Sequence, residues 1–483
     1  MNKKYLTILF LLIGFAGQSQ VTYSLERIIE LAQGQSPLAK QAETRKENRY
    51  WQYRLFRSNY NPQLALSGNI PGYNRDFNEN RLDDNTIVYQ EREQISSSLN
   101  LGLSQPIALT GGEVSVNSRV RQFDDLSRDF TQWNSTIVNV SLSQPLFAFN
   151  ELKWDKLTEP IRYEESKRSY VEEMEFVSRT ATERFFNYLD AQVNYQIAEF
   201  NLNNNDTIYN IANGRYNIGT ISEDELLQIE LQLLTSQQAL TQAELDLQTS
   251  RLQLRTFIGL NEQQQFNLEL PEEVPSFAVN EEIALQYAKD NRSDFIAFER
   301  RRIEAEGDVA QAKGNRFQMN LNASFGLNAR GNTLDESYMD PTNQQIADIS
   351  LYVPIVNWGR NEARIKTALA NKQLTDYTIA QEEQNFEQEI ITQVRQLDVL
   401  RQQIEIAKKS DEVGQKRYEI AQNRYLIGKT TISNLNIALQ EKDRAKRDYL
   451  NALRSFWVAY YDLRRLTLYD FANQELLYKP EEE

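Results

Sequence analysis

Between Ile161 and Asn213 the chain runs 53 residues without a glycine or a proline, and between Arg360 and Val413 it does so again for 54. Nothing else limits the fold so tightly. Such runs predict helices far longer than the dozen or so residues usual in globular proteins, each reaching roughly 80 Å at 1.5 Å per residue. Two more uninterrupted runs follow, over 220–258 and 429–479. RYNIGT (215–220) divides the first pair and RYLIGK (424–429) the second. Gly219 and Gly428 supply the backbone freedom a helix needs to stop, so each pair reads as a helix hairpin. Local chemistry alone allows these turns to be hairpin caps and nothing more.

The two turns are copies. YNIANGRYNIGT (209–220) and YEIAQNRYLIGK (418–429) share seven of twelve letters at an offset of 209. The same offset lays VSLSQPLF (140–147) over ISLYVPIV (349–356), with Pro145 on Pro354. Further upstream PQLALSG (62–68) pairs with FQMNLNASFG (317–326) at 255, so the first half holds 46 extra residues. LERIIELAQ (25–33) resembles EEIALQYAK (281–289). The expected organisation is a first repeat over 20–260, a linker over 261–280, a second repeat over 281–471 and a tail over 472–483. Each repeat reads helix, strands, long hairpin; the hairpins cover 150–258 and 360–470. Two copies make a pseudo-symmetric pair, not a solenoid, which needs three or more units.

After each turn the apolar residues recur every seven positions. Leu226, Leu233, Leu240, Leu247 and Leu254 form one seam, with Ile229, Ser236, Ala243, Ser250 and Phe257 between them. The second hairpin has Ala438, Ala445, Ala452, Ala459 and Leu466. A sustained seven-residue period imposes left-handed supercoiling, and small residues let backbones approach closely. A plain two-stranded coiled coil has the same pattern, but the turns favour antiparallel hairpins.

The strand regions, about 62–145 and 317–355, alternate. SLNLGLS (98–104) sets Leu99, Leu101 and Leu103 against Asn100, Gly102 and Ser104. One apolar and one polar face over about ten residues is the signature of a lipid-facing barrel strand, although a half-buried strand of a soluble sandwich looks alike. LSQPIALTGGEVSV (103–116) turns at Gly111-Gly112 and reads as an added hairpin near 103–120. That gives four strands in the first repeat and two in the second.

Composition removes most chemistry. With no cysteine and no histidine, disulfides, thiol catalysis, a lipidated cysteine, the common zinc sites and every histidine triad are excluded. The 68 acidic residues are scattered as a solvated face, so no enzyme, metal or cofactor is expected. A net charge of −15 argues against nucleic acid. The start, MNKKYLTILFLLIGFAGQSQ, has two lysines, an apolar run from Leu6 to Ala16 and small residues after it. That is the layout of a signal peptide over 1–19, and the run is too short to anchor in a bilayer.

A signal, a duplicated strand-and-rod unit, SLxxP before each descending helix and RYxIG at each hairpin together resemble the TolC-like outer-membrane efflux proteins. The resemblance covers nearly the whole mature chain. It implies an α+β membrane protein acting as a homotrimer in the outer membrane of a Gram-negative bacterium. Strands of three chains close one β-barrel in the lipid, and a long α-helical coiled-coil barrel continues it through the periplasm. It further implies a passive duct for efflux or type I secretion, served by a periplasmic adaptor and an inner-membrane pump of the RND or ABC type. Arg215, Tyr216, Ile218, Gly219, Thr220, Arg424, Ile427, Gly428 and Lys429 become adaptor-docking tips.

By the same likeness a periplasmic gate falls on Glu225, Tyr425, Thr430 and Asn434, and Pro145 and Pro354 mark the strand-to-helix transitions. The family's gate arginine falls on Thr430, beside Lys429, and its acidic rings on Asn434 and Ile437. The family's four strands per chain favour a barrel of twelve; six in the wall would give eighteen. The rival reading is a periplasmic coiled-coil adaptor or scaffold without a pore.

Overall fold

The computed structural model describes residues 21–260 and 266–480; the expected signal segment lies outside them. The chain begins with β1 (Val21–Tyr23), α1 (Leu25–Gln35) and α2 (Pro37–Ser58). Four strands follow, β2 (Gln63–Arg81), β3 (Ile87–Ile107), β4 (Gly112–Asp125) and β5 (Phe130–Leu146), then the helices α3 (Glu151–Asn217) and α4 (Glu223–Phe257). Next come β6 (Phe266–Leu268), α5 (Glu281–Asn291), α6 (Ser293–Gly314), β7 (Gln318–Gly331) and β8 (Thr342–Tyr352). The chain ends with α7 (Arg360–Leu426), α8 (Ile432–Thr467), β9 (Tyr469–Asp470) and β10 (Glu475–Leu476). Two helices, not one, precede each set of strands. Ser36 separates the first two: its backbone is extended, its hydroxyl accepts from the Ala39 amide at 3.1 Å, and Pro37 opens the next helix. Proline at that position loses no hydrogen bond.

The structure divides into two compact units. One comprises 45–169 and 292–387. It holds a six-stranded antiparallel sheet in the order β2-β3-β4-β5-β7-β8. The hairpin of β3 and β4, which the sequence leaves free to lie outside the wall, sits inside this sheet. Its pairing runs from Gln94↔Asp125 to Ile107↔Gly112, with β2 and β5 on either side.

Cross-strand rows alternate in character. Leu64, Leu103, Val116, Val140 and Phe325 form one row, and Ala65, Gly102, Asn117, Asn139 and Gly326 the next. All five residues of the apolar row are exposed. On the polar row a Cβ at Gly326 would lie 2.7 Å from Asn139 Nδ2, so glycine makes room for the amide. Apart from Ser135 and Ala329, which the β7–β8 connection covers through Ser337, the sheet's apolar face is bare, and its two edges, on β2 and β8, are open.

The other unit comprises the described parts of 1–44, 170–291 and 388–483. Its core gathers Phe185, Tyr188 and Leu189 of α3 with Leu397 of α7 and Leu453 and Phe456 of α8. The heptad seams find their partners here. Ile229, Ser236 and Ala243 are buried, and Ser236 Oγ accepts from Asn205 Nδ2 of α3 at 2.6 Å. The seam therefore joins the two arms of one hairpin. In the second hairpin a Cβ at Gly414 would lie 3.5 Å from Ala445 Cβ and 3.3 Å from Lys442 Cα. Helix α7 tolerates that mid-helix glycine because α8 passes so near.

Strand β6, within the expected linker, pairs in parallel with β1 of the expected first repeat and is tied to α3 by the Tyr188 hydroxyl, which donates to the Phe266 carbonyl at 2.6 Å. The C-terminal tail contributes β10, paired with β9. At the end of α8 lies a buried ionic cluster. Arg464 grips both oxygens of Glu175 at 2.8 and 2.9 Å and one of Asp470 at 2.8 Å. Burial opposes ionisation of Asp470, yet Arg464 and hydrogen bonds from Tyr460 and Asn473 hold its carboxyl below the usual range. Burial pushes Glu175 up in spite of Arg464.

Arg464→Leu would leave two buried carboxylates without their cation, and we expect it to cost about 3–5 kcal/mol in chemical denaturation near neutral pH. The sign with pH follows. In the parent, the contribution of depressed Asp470 is present above the ordinary carboxylate pKa and is lost as pH falls through its folded value. In the variant both carboxyls are raised, so the deficit should shrink on acidification. A deficit that grows as pH falls would contradict this account.

Candidate functional site at the hairpin tips

The tip residues belong to the mainly helical unit. Each hairpin closes in the same way. Gly219 and Gly428 take φ of 70° and 73°. The Gly219 amide donates to the Tyr216 carbonyl at 2.8 Å and the Thr220 amide to the Arg215 carbonyl at 2.9 Å. In the second hairpin Gly428 donates to Tyr425 at 2.9 Å and Lys429 to Arg424 at 2.8 Å. This crossed pair of bonds with a left-handed glycine is the Schellman ending of a helix. The following helices start on hydroxyl caps: Ser222 Oγ accepts from the Glu225 amide at 3.2 Å and Thr431 Oγ1 from the Asn434 amide at 3.4 Å. An RYxIG segment thus encodes a full stop, and the Ser or Thr after it encodes a restart.

Behind the tips the two hairpins share one apolar cluster. Ile208, Ala212 and Ile229 of the first pack with Tyr418, Tyr425, Ile432, Leu435 and Leu439 of the second. Arg215 ties the hairpins together at the end. Its guanidinium donates to the Leu426 carbonyl at 2.9 Å and lies 5.6 Å from the centre of the Tyr425 ring. The first tip thereby satisfies one of the free carbonyls at the end of α7.

Beyond this bridge the tips point apolar groups outward: Ile218 is 75% exposed and Ile427 65%. Tyr216, Thr220, Arg424, Gly428 and Lys429 are exposed around them.

The residues assigned to a gate separate into two groups. Tyr425 is buried; burial pushes its hydroxyl up, the charge of Glu225 adds to that and Arg215 opposes it. Tyr425 and Glu225 are near enough to sense one another, but among the described residues no hydrogen bond joins them. Thr430 and Asn434 instead pair with each other, Nδ2 of Asn434 donating to Thr430 Oγ1 at 3.3 Å. In the sheet-bearing unit Pro145 is the penultimate residue of β5, opposite Asn320 and past the end of pairing with β4. Pro354 follows β8, and Ile355 and Trp358 beyond it are almost fully exposed.

Three glycines test the tip chemistry. Nothing lies near a Cβ at Gly214, Gly219 or Gly428, so only the backbone distinguishes them. Gly219→Ala and Gly428→Ala should each cost about 1–2 kcal/mol for a left-handed alanine. Gly214→Ala, inside α3, should gain roughly 0.5–1 kcal/mol. Denaturation midpoints moving the same way for all three would refute the distinction.

The chain resembles known channels across almost all its length. It superposes on the Campylobacter jejuni CmeC outer membrane channel with a TM-score of 0.66 and 18% identity, covering 94% of this chain and 87% of that one. CusC, in which conformational changes accompany folding and transmembrane channel formation, gives 0.65 and 16%, over 93% and 92%. The open state of the Neisseria gonorrhoeae MtrE outer membrane channel gives 0.61 and 17%, over 92% and 88%. At such identities the likeness is one of fold. No curated protein matches the chain. The sequence profile described as "Outer membrane efflux protein" matches residues 125–260 and 284–467. Its members are passive channels of the outer membrane and not enzymes, and the outer membrane is where this chain resides. The chain belongs to the outer membrane efflux protein family.

Proposed function

We propose that three copies of this chain form a passive exit duct, closing their sheets into one outer-membrane barrel while their helix hairpins, built as two repeats, line a tunnel through the periplasm. The observation that carries this is the sheet itself. Most of its apolar face is uncovered within its own unit and both edges are open. A lone sheet of that kind is a template for aggregation. Lipid covers the face, and neighbouring copies close the edges.

Because β3 and β4 pair with each other without a register shift and are flanked by β2 and β5, we read all six strands as wall. Three chains then give eighteen strands where the family likeness favours twelve. Barrel diameter grows roughly in proportion to strand number, so this duct is about half again as wide.

The helices support self-association too. Val399, Ile406, Val413 and Ile420 of α7 are exposed at intervals of seven, and α4 exposes Leu227, Leu231, Leu234, Leu245 and Leu252. A bare heptad stripe is a seam without its partner helix. A pore-free scaffold would account for the hairpins and leave the sheet unexplained. Fractionation separates the two readings: a duct stays in the outer-membrane pellet after a carbonate wash, and release into the supernatant would favour the scaffold.

Under this reading the exposed Ile218 and Ile427, with Arg215, Tyr216, Gly219, Thr220, Arg424, Gly428 and Lys429, meet a periplasmic adaptor coupled to an RND or ABC-type pump. Glu225, Tyr425, Thr430 and Asn434 stand at the periplasmic mouth. Efflux and type I secretion both use such an arrangement. Ile427→Glu should weaken capture of the cognate adaptor by tenfold or so, the effect of one desolvated hot spot, while trimers still form. Unchanged capture would remove Ile427 from the docking surface.

A further inference from the structure

On the polar face of the sheet, three arginines stand together without a counter-charge. Arg119 and Arg121 alternate along β4 and so share a face, about 7 Å apart by strand geometry. Arg121 lies opposite Asn134 of β5, which lies opposite Arg330 of β7. Two strand spacings, about 10 Å, therefore separate Arg121 from Arg330. The next row of the same face runs Arg119, Thr136, Asn328, Thr342. These two rows line a cleft of about 530 Å³.

All three arginines are exposed, and among the described residues none of them has an ion-pair partner. Arg121 is steadied by Ser96 Oγ, which its Nε reaches at 3.1 Å, and by the Phe123 ring at 5.7 Å. Asn328 keeps a buried Oδ1 with no hydrogen-bond partner, an acceptor open to a water or to a protonated oxyanion. Along the strands the carboxylates of the same face are distant; Glu336 and Asp340 stand nearer, in the β7–β8 connection, where Glu336 Oε2 accepts from the Asn332 amide at 2.8 Å. Glu113 lies six residues down β4 from Arg119, and Asp348 six residues along β8 from Thr342, about 20 Å in each case. Asp125, four residues from Arg121 and about 13 Å away, is buried and accepts from the Ser127 amide. These three strand carboxylates lie beyond a Debye length of about 8 Å in physiological salt.

In a chain of net charge −15, a dense cation cluster without an ion pair points to a mobile partner. From this juxtaposition we infer that Arg119, Arg121 and Arg330 form an anion-binding site for carboxylate, phosphate or sulfate groups. Guanidinium groups bind such oxygens bidentately, and neutral amide and hydroxyl groups between them add donors. The polar face is the lumenal one if the duct reading holds, and on that reading the trimer carries a ring of arginines. Such rings select anions in known pores. The duct would then favour acidic cargo at this level.

Two measurements on the full-length protein in detergent or planar bilayers keep the site and the duct separable. Calorimetric titration with inorganic phosphate needs no pore. Binding should be present in the parent and lost when Arg119→Gln, Arg121→Gln and Arg330→Gln are combined, with lysine at the three positions restoring part of it. Under a potassium chloride gradient the chloride-to-potassium permeability ratio should fall about tenfold in the glutamine variant, the low end of what charge-lined clefts do to counter-ion concentration. Phosphate binding that depends on the arginines in a protein that carries no current would uphold the site and sink the duct. Normal conductance with phosphate binding and permeability ratio both indifferent to the glutamines would sink the site and leave the duct standing.

Discussion

A β-strand in contact with lipid has no water to satisfy its backbone, so every amide and carbonyl must find a partner on another strand. That requirement bears on this chain more heavily than any other. Its sheet pairs six strands internally and leaves the outer edges of β2 and β8 unmatched. Its apolar rows, such as Leu64 to Phe325, face nothing within their unit. On the duct reading, further copies of the same sheet close the edges and lipid covers the face. A second layer of protein would cover the face and still leave the edges open. On the duct reading self-association answers the unmatched edges and lipid the apolar face, and the exposed heptad positions of α4 and α7 repeat the demand for a partner in helical form.

The helical unit solves a different problem, which is how to hold very long helices in register. Small residues do part of this: Ser236 sits on a seam because Asn205 bonds it, and Gly414 because Lys442 and Ala445 press close. Polar ties do the rest. Arg464 fixes α8 to α3 through Glu175, and Arg215 fixes one hairpin end to the other. Each is a directional bond placed where a sliding seam would otherwise lack a stop. Apolar heptads give affinity along a helix; it takes such pins to choose one register.

Much of this was legible in the sequence because long helices announce themselves by what they lack. The 67-residue spans of α3 and α7 contain the two uninterrupted runs. Their ends were less visible. Helix α3 starts at Glu151, beside the expected hairpin start at 150 and ten residues before the uninterrupted run, capped by Asn150 Oδ1 on the Lys153 amide, and passes through Pro160. Helix α8 stops at Thr467, where Leu468 turns left-handed, although no glycine or proline occurs before Pro480.

Alternation located the strands but not their length. Strand β2 survives Pro71 by a register shift between Asn69 and Gly72. Beyond it the hairpin with β3 is carried by charged and polar pairs, Tyr73 with Glu93 and Arg75 with Glu91, which give no apolar period. The glycine stops of the tips could be read directly. The reach of Arg215 to a carbonyl 211 residues away could not, nor could the meeting of Arg121 with Arg330, because both depend on which strands become neighbours.

The claim on which the rest depends is closure of the sheet by identical copies, and direct imaging of the purified particle in lipid nanodiscs tests it. Single-particle reconstruction should show three-fold symmetry, an open lumen, and a continuous wall of eighteen strands in which β8 of one copy pairs with β2 of the next. A solitary chain with no lumen, or a wall that leaves β3 and β4 outside the ladder, would contradict it.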